Sequence, residues 1–292
     1  MDGIPVYLNI TAEGARINPQ QFDSDEHALM MFMSWRSNDT VVQALVTGSE
    51  RIKYYLNKAD GQEWHEEESL MIRFGPLIGH VPLSESGLPS ADRFTRYYNR
   101  YIAVMPDRFN PGTGERPILL FSRQRAQEAM QNANVSKITP GTTWTGVIYR
   151  RLPRGYMVNV GGFPTWLPLS LVDFNVVKPR ELQIGEMVTV KVTDQRSGNT
   201  IVVSRKDAME NPYDLHKGKY VRGGNVLAQV RVLRGPNGYA VLHDGVNVRF
   251  RRGGEREMLR TGTWVNLRIT GHNDEEKVLI GTVLDVVPEP VA

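Results

Sequence analysis

The feature that most restricts this chain is a set of short segments that occurs twice, in the same order and at nearly the same spacing. The segment IGHVPLSESG at 78–87 is echoed by GFPTWLPLSLVD at 162–173. An alternating stretch follows each, RYIAVMPD at 100–107 and MVTVKVTD at 187–194. Each copy then ends on an apolar run leading into a polar segment, PILLFSRQRAQEA at 117–129 and TIVVSRKDAMEN at 200–211. Ser84 and Ser122 are 38 residues apart, and Ser170 and Ser204 are 34 apart, as expected of two copies of one unit. A third, degenerate copy follows. There WVNLRI and VLIGTV take the places of MVTVKV and IVVSRK, and Trp264 and Val278 are 14 residues apart, as are Met187 and Ile201. The third copy lacks both the Pro-Leu-Ser and the Ser-Arg elements.

Within each copy the pattern is that of short strands. WTGVIYR, GYMVNVG, TWLPLS, MVTVKVT and TIVVSRK succeed one another between 144 and 206, separated by Gly, Pro and Asn. Similar runs occupy 226–234, 238–243, 246–250, 264–269 and 278–284. In MVTVKV, Met187, Thr189 and Lys191 oppose Val188, Val190 and Val192, the period-2 pattern of a half-buried strand. Short strands at this spacing predict a mainly β chain of small antiparallel barrels or sandwiches. Pro-Asn-Gly at 236–238 and Asp-Gly at 244–245 predict hairpin turns. Trp144, Ile148, Val188, Val190, Val202 and Trp264 are expected in the core. One helix is expected near the start, capped by Asp23 or Ser24 and running through Ala28–Trp35 with Leu29, Met30, Met31, Phe32 and Met33. That stretch is apolar nearly all round and so is expected to be buried on the first barrel, or to dock another protein through its adaptable methionines.

At these residues the sequence resembles the S-one RNA-binding domain family, whose unit is a five-stranded OB-type barrel. Gly141, Thr143, Gly146 and Ile148 resemble its opening strand, and Gly155-Tyr156 its Gly-aromatic pair. Thr165–Ser170 resembles its "GFLPLSE"-like third strand and Ile201–Lys206 its close. The resemblance implies tandem OB-type barrels, two clear and a third degenerate, after a short helical N-terminal segment. The boundaries it implies are 1–38 for the extension, then 39–134, 135–211 and 218–288. The middle copy matches over its whole length; the first matches over 78–129, its opening from Val41 to Phe74 being longer and irregular.

The resemblance also implies which residues would meet single-stranded RNA. In the middle copy these are Tyr156, Trp166, Pro168, Asp194 and Thr200, with Arg205 and Lys206 close by. In the first copy they are Phe74 and His80, beside Pro82, with Arg123 and Arg125 after the last strand. Pro168 and Pro82 stand where the family often has His or an aromatic, and Pro153 where an aromatic often precedes the Gly pair. From the residues themselves, RFTRYYNRY at 93–101 interleaves Arg93, Arg96 and Arg100 with Phe94, Tyr97, Tyr98 and Tyr101, a combination suited to RNA but also to a short amphipathic helix packed under the barrel. In the third copy Arg249 and Arg251 alternate on a strand and can face one phosphate path, near Arg231, Arg234, Tyr239, His243, Phe250 and Arg252. Charges on such a strand also guard an edge against aggregation.

Composition narrows the function classes. The chain has 292 residues and no cysteine, which removes disulfides, thiolate metal sites and cysteine nucleophiles. Its formal charge is only +3, with the excess of cations in the second half. No phosphate loop, Gly-x-Ser-x-Gly elbow or His-Glu-x-x-His is present, and the six histidines are scattered. Neither catalytic residues, metal nor cofactor are therefore expected. No apolar run reaches the roughly 18–20 residues that span a bilayer, so no membrane association and a cytoplasmic location are expected. The expected partner is single-stranded RNA, mRNA or ribosomal RNA, bound in translation or RNA handling at the small ribosomal subunit, with short linkers at Asn132–Thr139 and Pro212–Arg222 making the barrels multivalent. The alternative is a structural or adaptor protein whose barrels and Met-rich helix bind the ribosome, a transcription complex or another large assembly such as a viral particle.

Overall fold

The structure is a computed structural model that describes residues 6–8, 10–58, 61–110, 118–174, 180–198, 200–251 and 259–288. The N-terminal segment contributes β1 (Val6–Leu8), β2 (Pro19–Gln20) and α1 (Asp25–Ser37). The first ring is made of β3 (Val42–Lys58), β4 (Gly61–Phe74), β5 (Leu77–Pro82), β6 (Tyr101–Asn110) and β7 (Ile118–Ser122). After α2 (Arg123–Asn134) come β8 (Thr143–Leu152), β9 (Gly155–Val160), β10 (Phe163–Pro168), β11 (Met187–Ser197) and β12 (Thr200–Ser204). After α3 (Pro212–His216) come β13 (Asn225–Arg234), β14 (Asn237–Val241), β15 (Asn247–Arg251), β16 (Trp264–Asn273) and β17 (Val278–Val287).

All three copies share one topology. In each, strands neighbour one another in the order first, second, third, fifth, fourth, and the fourth closes back on the first. The third and fifth strands pair in parallel every time: β5 with β7, β10 with β12, β15 with β17. The first ring differs in that β1 also pairs with β3, and β2 with β1. The chain divides into two compact units, 1–166 with 183–202 and 167–182 with 203–292.

The third copy, degenerate in motif, nevertheless forms a closed five-stranded barrel. Closure depends on inward apolar alternation and not on the Pro-Leu-Ser element: Val230, Ala240, Val248, Leu267 and Leu279 are all fully buried. The expected Pro-Asn-Gly turn lies earlier than the sequence suggested. Gly235 takes the positive φ of +54°, whereas Gly238 sits within β14. A Cβ at Gly238 would lie 2.2 Å from the Phe250 ring, so that glycine is there to admit a side chain across the barrel. The irregular opening of the first copy is a long two-stranded ribbon, in which β3 and β4 stay paired from Leu45–Arg73 out to Lys58–Gly61.

The expected helix is α1, capped by Ser24, whose side chain accepts from the His27 backbone N–H. Only one face is buried, through Ala28, Phe32 and Trp35; Met30 remains 62% exposed, so the expectation of burial all round is corrected. The buried face meets Phe74 and Phe121 of the first ring, with Phe32–Phe121 centroids 5.2 Å apart and Trp35–Phe74 centroids 5.4 Å apart, both edge-on. Leu29 and Met31 pack partly against this core.

Residues 10–17 form a strap within the first unit. The fully buried Gln43 side chain accepts from the Gly14 N–H and donates to the Ala12 and Ala15 carbonyls. Ala12 and Ala15 pack on Val147 of the middle copy, the Gly161 N–H donates to the Thr11 carbonyl, and Asn159 Oδ1 accepts from Glu13 N–H. Glu13 meets Arg123 through two hydrogen bonds of 2.6 and 2.8 Å. The end of α2 docks on the β9–β10 turn, with Gln131 and Asn134 donating to the Gly162 and Gly161 carbonyls. Asn132–Thr139 is thus a fixed junction and not a free tether.

Candidate nucleic-acid interface

Several residues expected to meet RNA are buried or tied to other side chains in the structure. Phe74 is 0% exposed beneath α1, because Phe22, Phe32 and Trp35 surround its ring. Tyr156 is 1% exposed: it shares an inward phase with Val158 and Val160, which leaves Met157 facing out. Arg123 is 5% exposed, held by Glu13 and the Ser86 carbonyl and lying 4.8 Å from the Tyr97 ring centroid. Tyr97 is half-buried by that contact and is not an open stacking surface. Arg125 bridges Asp39 and Asp107 at 2.8 and 3.1 Å. Trp144 and Trp264, expected in the core, are only half-buried, whereas Ile148, Val188, Val190 and Val202 are buried.

His80 is also buried, with Nδ1 3.5 Å from a Glu50 carboxylate oxygen. Burial lowers its pKa below the ordinary value, partly opposed by Glu50. A histidine whose folded pKa lies below its unfolded one favours the fold when neutral. The chain is therefore expected to lose stability as pH falls below about 6.5, the unfolded value. His80→Gln should flatten that acid limb in urea titrations at pH 7 and pH 5; an unchanged limb would exclude His80 as its source.

Other candidates do reach the surface. Trp166 lies between the buried Thr165 and Leu167 on β10 and keeps its ring partly exposed. Asp194 is exposed on β11, and Thr200 at the start of β12 and Pro168 at the end of β10 are half-exposed. Arg96 is exposed on the short 3-10 turn Ala91–Tyr97, where Phe94 is the buried anchor. Arg205 donates to the Val172 carbonyl, and Lys206 stands 5.1 Å from the Phe174 ring centroid.

The third barrel supplies the most continuous strip. Val248 and Phe250 point inward, so Arg249 and Arg251 share the outer face of β15. Across the ladder, Arg249 pairs with Tyr239 and Arg251 with Asn237, which places a ring and an amide beside two guanidinium groups. Arg249 is tied to Glu276 at 2.7 Å, while Arg251 is exposed with no ion pair among the described residues. Arg252 lies outside the described residues. This strip occupies the second and third strands, the face that OB barrels present to oligonucleotides. The degenerate motif concealed it; the strand alternation at 249–251 was its one visible signal.

The chain is similar to a bacterial ribosomal protein. It is 29% identical over 140 residues to the small ribosomal subunit protein bS1 of Rhizobium meliloti (strain 1021). The match takes in 45% of this chain but only 23% of that protein's length. The tandem five-stranded barrels and this distant similarity together make the repeats S-one-like. No family model matches the chain. A solved multidomain protein with nucleic acid binding domains from Streptococcus pneumoniae aligns over 86% of this chain and 75% of its own, at 11% identity and a TM-score of 0.20. Among the described residues no group of acidic and histidine side chains is arranged to hold a metal ion, and no helix is long and apolar enough to cross a membrane.

Proposed function

We propose that this protein is a non-catalytic binder of single-stranded RNA that uses its tandem S-one-like barrels, acting in translation at the small ribosomal subunit in the cytoplasm. The observation that carries the reading is the outward strip of Tyr239, Arg249 and Arg251 on the second and third strands of the third barrel. Trp166, on the third strand of the middle barrel, is a second platform. Unpaired bases expose faces that stack on such rings, at about 1–3 kcal/mol per base, while guanidinium groups follow the phosphates. Similarity to a ribosomal protein supports RNA as the polymer.

The test is fluorescence anisotropy with a labelled oligouridylate between 50 and 200 mM salt, values chosen to resolve a counterion slope. Trp166→Ala is expected to weaken binding by about 1–3 kcal/mol, and Arg251→Ala to reduce the slope of log K against log salt by about 0.7. No binding by the unmodified chain at the lower salt, or unchanged binding by both variants, would overturn the reading. The exposed Met30 and Met33 on α1 favour a second reading, an adaptor that docks a protein through this helix. Partner capture abolished by Met30→Glu and insensitive to salt would support it.

A further inference from the structure

Among the described residues, three cations in the second compact unit make their hydrogen bonds and ring contacts to neutral groups. The Arg231 guanidinium donates to the Phe174 carbonyl and to Asn247 Oδ1, the latter at 2.8 Å. Arg205 donates to the Val172 carbonyl at 3.0 Å. Lys206 Nζ stands over the Phe174 ring, 5.1 Å from its centroid, and makes no hydrogen bond or ion pair among the described residues. All three are partly buried. Two carboxylates are near. Asp173 accepts from the Arg180 backbone N–H at 2.7 Å, and Asp207 is exposed.

Partly buried cations that make no ion pair are poorly compensated even with a carboxylate nearby, since removal from water weakens their solvation and they repel one another. Lys206 shows both effects: its pKa is lowered by burial and then by the positive charge of Arg231, with Asp207 and Asp173 opposing. Arg231 is lowered by burial and held up only by Asp173. An anion beside Phe174 would relieve both groups. Arg231 is already oriented by two acceptors, and Lys206 has three ammonium hydrogens to donate.

We propose that Lys206 and Arg231, which both contact Phe174, form a phosphate subsite that takes one backbone phosphate of a bound single-stranded RNA. The subsite deepens the RNA-binding reading and rests on it. Its place is set by Phe174, whose carbonyl orients the guanidinium while its ring supports the ammonium. Arg205 lies next in sequence and extends the positive edge without being required.

The experiment uses the full chain and two probes. Lys206→Glu is the primary variant because this side chain makes no hydrogen bond among the described residues; Arg231→Gln, which gives up guanidinium hydrogen bonds, is the second. With oligouridylate, each variant is expected to lower the salt slope by about 0.7, the share of one single-strand phosphate contact. With inorganic phosphate, amide resonances of Asp173, Phe174, Lys206 and Arg231 are expected to shift saturably in the unmodified chain and not in Lys206→Glu. RNA binding with an unchanged slope in both variants, together with no local phosphate shift, would overturn the subsite and leave the RNA reading standing. A saturable local shift in a chain that fails to bind RNA would overturn the RNA reading and assign the subsite to a free phosphate group. Neither signal would overturn both.

Discussion

Glu13→Ala is expected to lower the unfolding free energy of the first compact unit by about 3–5 kcal/mol, the range for breaking a buried ion pair by removing one partner. The Glu13 and Arg123 side chains are only 14% and 7% exposed, so solvent screens this pair far less than a surface bridge. Removing the carboxylate leaves a guanidinium with the Ser86 carbonyl and the Tyr97 ring as its remaining partners, neither of which carries negative charge. The strap would also lose the clasp beside Gln43, and Gln127, which donates to Glu13 at 3.1 Å, would lose its acceptor. Replacing both partners, Glu13→Met with Arg123→Met, should recover most of the loss, because no uncompensated charge remains. Urea titration followed by far-UV circular dichroism measures both. A loss below about 1 kcal/mol in the single variant would mean that the pair behaves like an exposed one.

This pair also marks where reading the sequence stops. The architecture was legible because it is written locally and more than once: strand alternation, turn glycines and two sets of elements in register pointed to repeated small barrels. Even the third barrel could be placed, since a period-2 pattern survives when motifs decay. The candidate site was less legible, for two physical reasons. First, a strand's facing depends on its phase, and an error of one residue turns every side chain over. On β9 the phase puts Tyr156 inside with Val158 while Met157 faces out. Second, burial can be imposed from far along the chain. Nothing near Arg123 announces Glu13, 110 residues earlier, and a Ser-Arg segment after a strand has the same local appearance whether its cation is free or clasped. Arg249 and Arg251 were read correctly as sharing a face because that inference needs only neighbours on one strand. Their pairing with Tyr239 and Asn237 adds what alternation alone could not supply.

Phe74 presents the same contrast in a form that one substitution resolves. A stacking residue and a core residue respond oppositely to truncation. Were Phe74 a platform for a base, Phe74→Ala would cost about 1–3 kcal/mol of RNA binding while sparing the fold. Its ring is instead fully buried among Phe22, Phe32, Trp35 and Phe121, where a phenylalanine-to-alanine change costs about 3–5 kcal/mol through lost transfer energy and the cavity left behind. Much of that cost should fall on α1, because the buried face of the helix, Phe32 and Trp35, rests on this ring. Phe74→Ala is therefore expected to unfold at lower urea and to increase hydrogen exchange first in Asp25–Ser37, while oligouridylate affinity under native conditions stays within about twofold, less than the effect of losing one stacked base. A stable variant with weakened RNA binding would return Phe74 to the interface and require α1 to lift away from the first ring when RNA binds.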